Sequence, residues 1–321
     1  EKKNNENINF PNLKTENEWK SSFGNVNGVQ YNNTFLEENK VLFKKKIDKS
    51  RIFATPILYK NRIIVITENG NIISLDKYGN KVWKTSIIPL TEKKGFLTGG
   101  GISAYKSLII VTTSFGEVLA LSGENGNILW RNNFDGSFNM GATVYKNKIF
   151  IISSKGLALC LNLTGDILWS FLGSSEQNNL LNEPSPVIFK DNVLFPFNSG
   201  IIKLLNSNNG EEIWSYESKK FDFGNARSVI KGFSSSLITS DDKIFISSYS
   251  GETEALNKNG QLIWTNSLNT NDDLLLVNDY IFLIDNNNRL ININAENGKI
   301  IWTKNILSKK NSSYFFGLKL I

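Results

Sequence analysis

The chain has 321 residues, enough for two domains, yet it contains no histidine and one cysteine. That excludes histidine-based catalytic triads, histidine metal ligands, a Cys-His pair and any disulfide within the chain. The formal charge of +6 comes from lysines spread over turns and strand ends. Only Phe43 to Arg51 is a concentrated basic run, and no basic face interleaves with aromatics, so a nucleic-acid partner is not expected.

In chain order, residues 1–37 read as a partly disordered N-terminal extension. The opening EKKNNENINF has neither a start methionine nor a signal peptide, as expected of a mature or trimmed chain. No run of 18 apolar residues occurs anywhere, so no membrane-spanning helix is expected.

From about residue 51 the chain falls into units of four short runs. The first is weak, as in TPILYKN, GISAYKS, GATVYKN, SPVIFKD and SSSLITSDD, and commonly closes in a tight turn such as Tyr59-Lys60-Asn61. The second is rich in β-branched and aromatic residues (NRIIVIT, SLIIVTT, NKIFIIS, NVLFPF, DKIFISS, DYIFLI), which suit a pleated surface. The third ends in a polar turn, as in FGEVLALSGENG and SGETEALNKNG. In the fourth, a tryptophan stands four residues after a glycine: Gly79/Trp83, Gly126/Trp130, Gly165/Trp169, Gly210/Trp214, Gly260/Trp264 and Gly298/Trp302.

These tryptophans recur at intervals of 47, 39, 45, 50 and 38 residues. A catalytic residue has no reason to recur six times, whereas a supersecondary unit stacked on copies of itself does. The chain is therefore expected to be all-β, a β-propeller of four-stranded blades with strands A to D running from axis to rim. Small residues that open strand A (Gly100, Gly101, Gly141, Ala142, Ser185, Ser235) fit the crowded axis. Strand B, apolar on both faces in Leu108 to Val111, fits between neighbouring blades. The tryptophan of strand D is assigned to the groove between blades with its N–H on a carbonyl, and its glycine to a positive-φ turn.

Other candidates have plain structural readings. LTGGGIS (Leu97 to Ser103) lacks the Gly-Lys-Ser/Thr ending of a phosphate loop and opens a strand. Asp241-Asp242, Asp272-Asp273 and the Asp285 run fall at turns and lack the alternating carboxylates of a calcium loop. Cys160 lies mid-strand and reads as a small buried hydrophobe. No metal or cofactor is expected from these residues.

Loop length carries the functional signal. The D-to-A connections after Trp83, Trp169 and Trp214 are long, and in a propeller all such connections leave on one face. The second carries Leu180 and Leu181, the third Phe221, Phe223, Val229 and Ile230. Apolar loop residues point to a protein partner more than to a polar substrate.

With these repeats, the chain resembles the PQQ-like propeller repeat family and, within it, the BamB-like outer-membrane assembly factors. The resemblance rests on the Gly-x-x-x-Trp units and on the order of variations in LTGGGISAYKSLIIVTTSFGEVLALSGENGNILWR and LLNEPSPVIFKDNVLFPFNSGIIKLLNSNNGEEIW. It implies a non-enzymatic, eight-bladed lipoprotein on the periplasmic side of the outer membrane, within the BAM complex. The implied partners are the periplasmic domains of BamA, with unfolded outer-membrane proteins as further clients. Membrane association would run through a lipid anchor not present in this chain.

Partner-binding residues by this resemblance are Leu180, Leu181, Asn182, Glu183, Arg227 and Ile230. Leu181 stands where the family's loop has arginine, Asn178 where it has its first leucine, and ARSVIKG (Ala226 to Gly232) lacks the family's aspartates. The resemblance further implies a single propeller domain over 38–321, with a lone outer strand at 38–47 placing Phe43 in the tryptophan position. Six blades follow over about 51–306 and a seventh starts at 307–321, giving an incomplete ring. Quinone-dependent dehydrogenases resemble the same repeats, so the alternatives are a quinoprotein holding quinone and calcium on the axis, or another periplasmic propeller that binds proteins; the vicinal cysteine pair that many of the dehydrogenases carry is absent here.

Overall fold

The computed structural model describes residues 18–21, 25–28, 41, 43–89, 96–174, 184–218, 232–268, 270 and 272–307. Within these, the chain folds into six four-stranded antiparallel sheets, each made of four consecutive strands in the order A-B-C-D. The sheets span residues 57–86, 100–133, 143–172, 187–217, 238–266 and 275–305, and are blades one to six of a β-propeller.

The A–B hairpins turn on two residues with positive φ at Lys60 and Asn61, Lys146 and Asn147, and Lys190 and Asp191, the type I′ geometry that matches strand twist. Five of the six inner strands correspond to the weak runs of the sequence. The sixth, Leu275–Val277, follows an Asn/Asp-rich stretch, with neither a small residue opening it nor an aromatic before its turn, so the pattern of the other blades does not reveal it.

All six C–D pairs share one irregularity, a register shift at the residue before the tryptophan: Ser74 pairs with Trp83 while Leu75 pairs with Lys81, leaving Val82 as a bulge. Equivalent bulges stand in blades two to six. A bulge adds twist and re-aims the next side chain, which in blades one to five turns the indole toward the following blade.

The core is divided into inter-blade layers. One cluster joins Ile57, Ile64 and Trp83 of blade one to Ile102, Ile109 and Leu119 of blade two. Corresponding layers join each later blade to the next, as Phe150 and Trp169 meet Phe195 and Leu205. Strand B is buried from both sides, and Ile109, Ile110 and Val111 are wholly covered. Near the axis, a Cβ added to Gly101 would meet the Gly141 backbone at 2.7 Å, which is the crowding that small residues relieve.

The blade fastener is the same at five junctions. The indole N–H of Trp83 donates to the Gly123 carbonyl of blade two at 3.3 Å, Trp130 to Leu163 at 2.9 Å, and Trp169 to Ser207 at 3.3 Å. Trp214 donates to Lys258 at 3.1 Å and Trp264 to Ala295 at 3.0 Å. Each of these rings covers the turn glycine of the next blade, whose φ lies between 71 and 91°.

Trp302, the sixth tryptophan, keeps the strand position of the others but has no following blade over it among the described residues. It keeps the bulged pairing, opposite Asn292, and its ring rests on Phe282 of strand B in its own blade with centroids 6.0 Å apart, as Trp169 rests on Phe150 and Trp264 on Phe245. The groove on a blade's outer side is completed by the next blade's turn. Trp302 is therefore a packing residue within its own blade here, and the fastener applies to the other five.

Of the expected outer strand 38–47, residues 38–40 and 42 lie outside the described residues, and 43–47 carry no ladder pairing. Phe43 nevertheless lies on Gly79 of blade one, 2.7 Å from where a Cβ would stand, as the tryptophans lie on later glycines. The concentrated basic run is tied down locally: Lys45 Nζ reaches Asn80 at 2.7 Å and Asp48 pairs with Lys84 at 3.3 Å. Residues 308–321, including the expected start of a seventh blade, lie outside the described residues.

Candidate partner-binding face

The strand order places two sets of connections on opposite faces. Strands A and C end at the A–B and C–D turns on one face; B and D end on the other, which carries the B–C turns and the D-to-A loops. Hydrogen bonds fix this second arrangement. The N–H groups of Ile87, Phe134, Gly173 and Ser218, each just beyond a strand D, donate to the carbonyls of Gly70, Gly116, Gly156 and Gly200 in the B–C turns of their own blades.

The loop after blade one leaves at Ile87 and returns through Leu97, whose N–H donates to the Glu68 carbonyl at 2.8 Å. Just before that return, Phe96 is 65% exposed, an aromatic ring standing in solvent on this face.

The loop after blade three leaves at Gly173, where any Cβ would collide with the Phe197 ring. It returns through Ser185, whose hydroxyl donates to the Gly141 carbonyl at 2.7 Å, and through Pro186, whose carbonyl accepts from the Thr143 hydroxyl.

The loop after blade four has the most elaborate base. The hydroxyls of Tyr216 and Ser218 donate to the two carboxylate oxygens of Glu254 at 2.9 and 2.7 Å. Glu254 belongs to blade five and is 1% exposed. Burial, then the adjacent Glu254 charge, pushes the Tyr216 hydroxyl pKa upward, so the phenol stays a donor. On the return side Gly232 adopts φ 110° and Phe233 is buried in the blade four–five layer. Glu252, also buried, accepts from Thr265 and Ser267 at 3.0 Å each where blade five ends.

A third buried carboxylate, Glu117, lies 3.4 Å from Arg131, which also donates to the Ile87 carbonyl at 3.2 Å. Burial raises the Glu117 pKa and the arginine opposes the rise. Among the described residues no three His, Cys, Asp or Glu side chains are grouped to hold a metal ion. Asp285 serves its own turn, accepting from the Asn287 and Arg289 amides and the Arg289 Nε.

Leu180, Leu181, Asn182, Glu183, Arg227 and Ile230 lie outside the described residues, as do Phe221, Phe223 and Val229; the structure describes the bases of their loops. The twelve glycines and tryptophans of the blade motif are all described, and their contacts are architectural. The indoles of Trp83, Trp130, Trp169, Trp214 and Trp264 lie against the next blade's glycine, and Trp302 against Phe282. None of the six offers a platform to a quinone on the axis.

Tyr216, Ser218, Glu252 and Glu254 were not singled out from the sequence. A signal existed: Glu254 stands where the other blades have Ile73, Leu119, Leu159, Lys203 and Ile291, counted from the tryptophan pairing. A carboxylate in a mainly apolar repeat position marks a local task.

Comparison with known proteins follows this geometry. The family model described as outer membrane protein assembly factor BamB matches residues 69–304. The outer membrane protein assembly factor BamB of Yersinia pestis is 22% identical over 242 residues, covering 73% of this chain and 61% of that protein. Its counterpart in Moranella endobia (strain PCIT) is 22% identical over 263 residues, covering 80% and 68%. Among solved structures, BamB from Moraxella catarrhalis superposes with a TM-score of 0.69 at 17% identity, covering 78% of this chain and 75% of that one. The quinohemoprotein alcohol dehydrogenase of Comamonas testosteroni reaches 0.54 at 15% identity, covering 64% and 42%; at that identity the likeness concerns the fold alone.

Proposed function

The chain belongs to the family of the outer membrane protein assembly factor BamB, and on that footing we propose that it is a non-catalytic scaffold on the periplasmic side of the outer membrane. It binds the periplasmic domains of a BamA-like assembly protein through the face that carries the D-to-A loops, and so assists outer-membrane protein assembly and insertion. The observation that best supports this is the gathering of three long connections on one face. Two of them are held at their bases by hydrogen bonds, a buried one from Ser185 and a half-buried one from Ser218 to Glu254. Rigid bases that present variable loops are a common plan for recognition.

Leu180 and Leu181 supply the apolar centre of the contact, with Asn182, Glu183, Arg227 and Ile230 around it. An apolar centre inside a polar rim is where binding energy concentrates. The test is a pull-down of the full chain against soluble BamA periplasmic domains, comparing wild type with Leu180→Asp/Leu181→Asp. Capture that falls at least tenfold in the folded double variant is expected. Equal capture of both, or no capture of folded wild type, overturns the reading.

A further inference from the structure

The inner edges of the blades are already used by another part of the chain. Strand A pairs with strand B on one side only; its other edge faces the axis with free backbone donors and acceptors. Trp19 and Leu58 exchange two backbone hydrogen bonds, at 2.7 and 2.9 Å. The Ala104 amide donates to the Lys20 carbonyl at 2.7 Å, Ile188 to Val26 at 2.8 Å and Thr239 to Asn27 at 3.1 Å.

Leu58, Ala104, Ile188 and Thr239 are the same position in blades one, two, four and five. Each immediately precedes the last residue before its A–B turn and pairs with Ile63, Ile109, Val193 or Ile244 of its own strand B. In a tight antiparallel hairpin the pair next to the turn is hydrogen-bonded, so the next pair points its N–H and C=O outward. The fold thus sets equivalent amides around one mouth of the central opening, the mouth opposite the D-to-A loops.

One short stretch of chain satisfies four of them. Two side chains anchor it: Trp19 packs on the layer of blades one and two, and Val26 on that of blades three and four. Gly28, at φ 74°, lies so close to the Leu237 carbonyl that a Cβ would collide with it.

We propose that this mouth is a binding site for one extended polypeptide segment, read through its backbone, and that residues 18–21 and 25–28 are its intramolecular ligand. Recognition through main-chain groups at a sheet edge is tolerant of sequence. The side-chain requirement is therefore short: an aromatic residue, an aliphatic residue seven positions later, and a glycine two after that. When the resident segment leaves, the same edges take an extended segment of an unfolded chain. This site lies on the face opposite the bases of the D-to-A loops and is independent of the loop reading.

The test uses the full chain with Trp19→Asp/Val26→Asp, which removes both anchors and leaves the blades intact, and a fluorescent peptide of residues 16–29 with the native sequence. Tethering gives the resident segment a local concentration of millimolar order, so wild type should take up the peptide at least tenfold more weakly than the variant. In the variant, amide exchange at Leu58, Ala104, Ile188 and Thr239 should quicken, and added peptide should slow it again.

A chain folded first and then cut by a protease at a site inserted between residues 30 and 37 serves if the variant does not fold. It should exchange its own fragment for the labelled peptide but not for a scrambled one. A folded variant or cut chain that takes up no more native peptide than scrambled peptide overturns the proposal, as does uptake equal to that of intact wild type.

Discussion

The indole of Trp83 covers Gly126 of the next blade so closely that a Cβ on that glycine would stand 2.5 Å from the ring. The glycine sits at φ 75°, and Thr85 donates to its carbonyl at 2.7 Å. Turn conformation and blade contact therefore make the same demand at one residue, and the pattern repeats at Gly165, Gly210, Gly260 and Gly298 under Trp130, Trp169, Trp214 and Trp264.

Gly126→Ala meets both demands badly. The left-handed backbone costs an L side chain about 1 kcal/mol, and displacing a packed ring about 1–3 kcal/mol more. Chemical denaturation should show a loss of roughly 2–4 kcal/mol, while an alanine at exposed Asn127 should change stability little. A Gly126→Ala protein as stable as wild type would refute the fastener role.

Glu254 ties the start of the 219–231 loop to blade five, since Tyr216 and Ser218 both donate to it. Glu254→Ala leaves two half-buried hydroxyls without their acceptor. Limited trypsin digestion should then cut at Lys219, Lys220 or Arg227 at least several times faster, with the blade core still protected. Unchanged cleavage at these sites would show that the carboxylate does not hold the loop.

Asp285 gives a pH dependence of defined sign. Burial disfavours its charge, but hydrogen bonds from Arg289 and the turn amides outweigh that and hold its pKa below the usual carboxylate value. Its contribution is thus present above the unfolded-state pKa of about 3.9 and fades as pH falls through the lower folded-state value. Asp285→Ala should lower the melting temperature by roughly 2–6 °C at pH 7, and the gap to wild type should narrow steadily as the pH is taken below the unfolded-state value. A gap independent of pH would remove the carboxylate from the explanation.

Cys160 is fully buried, and burial pushes its thiol up to about 12. The thiolate fraction at pH 8 is then on the order of one in 10,000. An aromatic disulfide reagent should react with no thiol in the native chain and with one per chain in denaturant. Fast labelling of native protein would place the residue outside the layer between blades three and four.

The blades were legible because their signal is local and repeated. Apolar alternation, turn chemistry and a tryptophan at a set distance from a glycine need no partner to be recognised, and six copies reinforce one another. What the repeat could not convey is whether each copy has a neighbour to grip: Trp302 carries the same motif and the same strand-B contact as Trp169 and Trp264, yet no following blade covers it among the described residues. Strand A of blade six escaped because it lacks both cues: no small residue opens it, as Ser235 does in blade five, and no aromatic precedes its turn, Asn278-Asp279, as in blades one to four. The carboxylates of Glu252 and Glu254 escaped for another reason: a charged residue on a strand acquires meaning only from the hydroxyls that the fold brings to it.

Trp19 shows the boundary most clearly. It is the one tryptophan outside the repeat, and nothing in its neighbourhood distinguishes it from a polar extension. The periodic sequence by itself determined the blade, its strand order and the sense in which one blade grips the next, since those depend on contacts within about one repeat. Only the tertiary structure decided that residues 18–21 and 25–28 meet blades one, two, four and five, because ring curvature brings together inner edges that are as much as 181 residues apart, from Leu58 to Thr239. No periodicity along a chain encodes which distant segment will satisfy backbone donors turned toward a common axis.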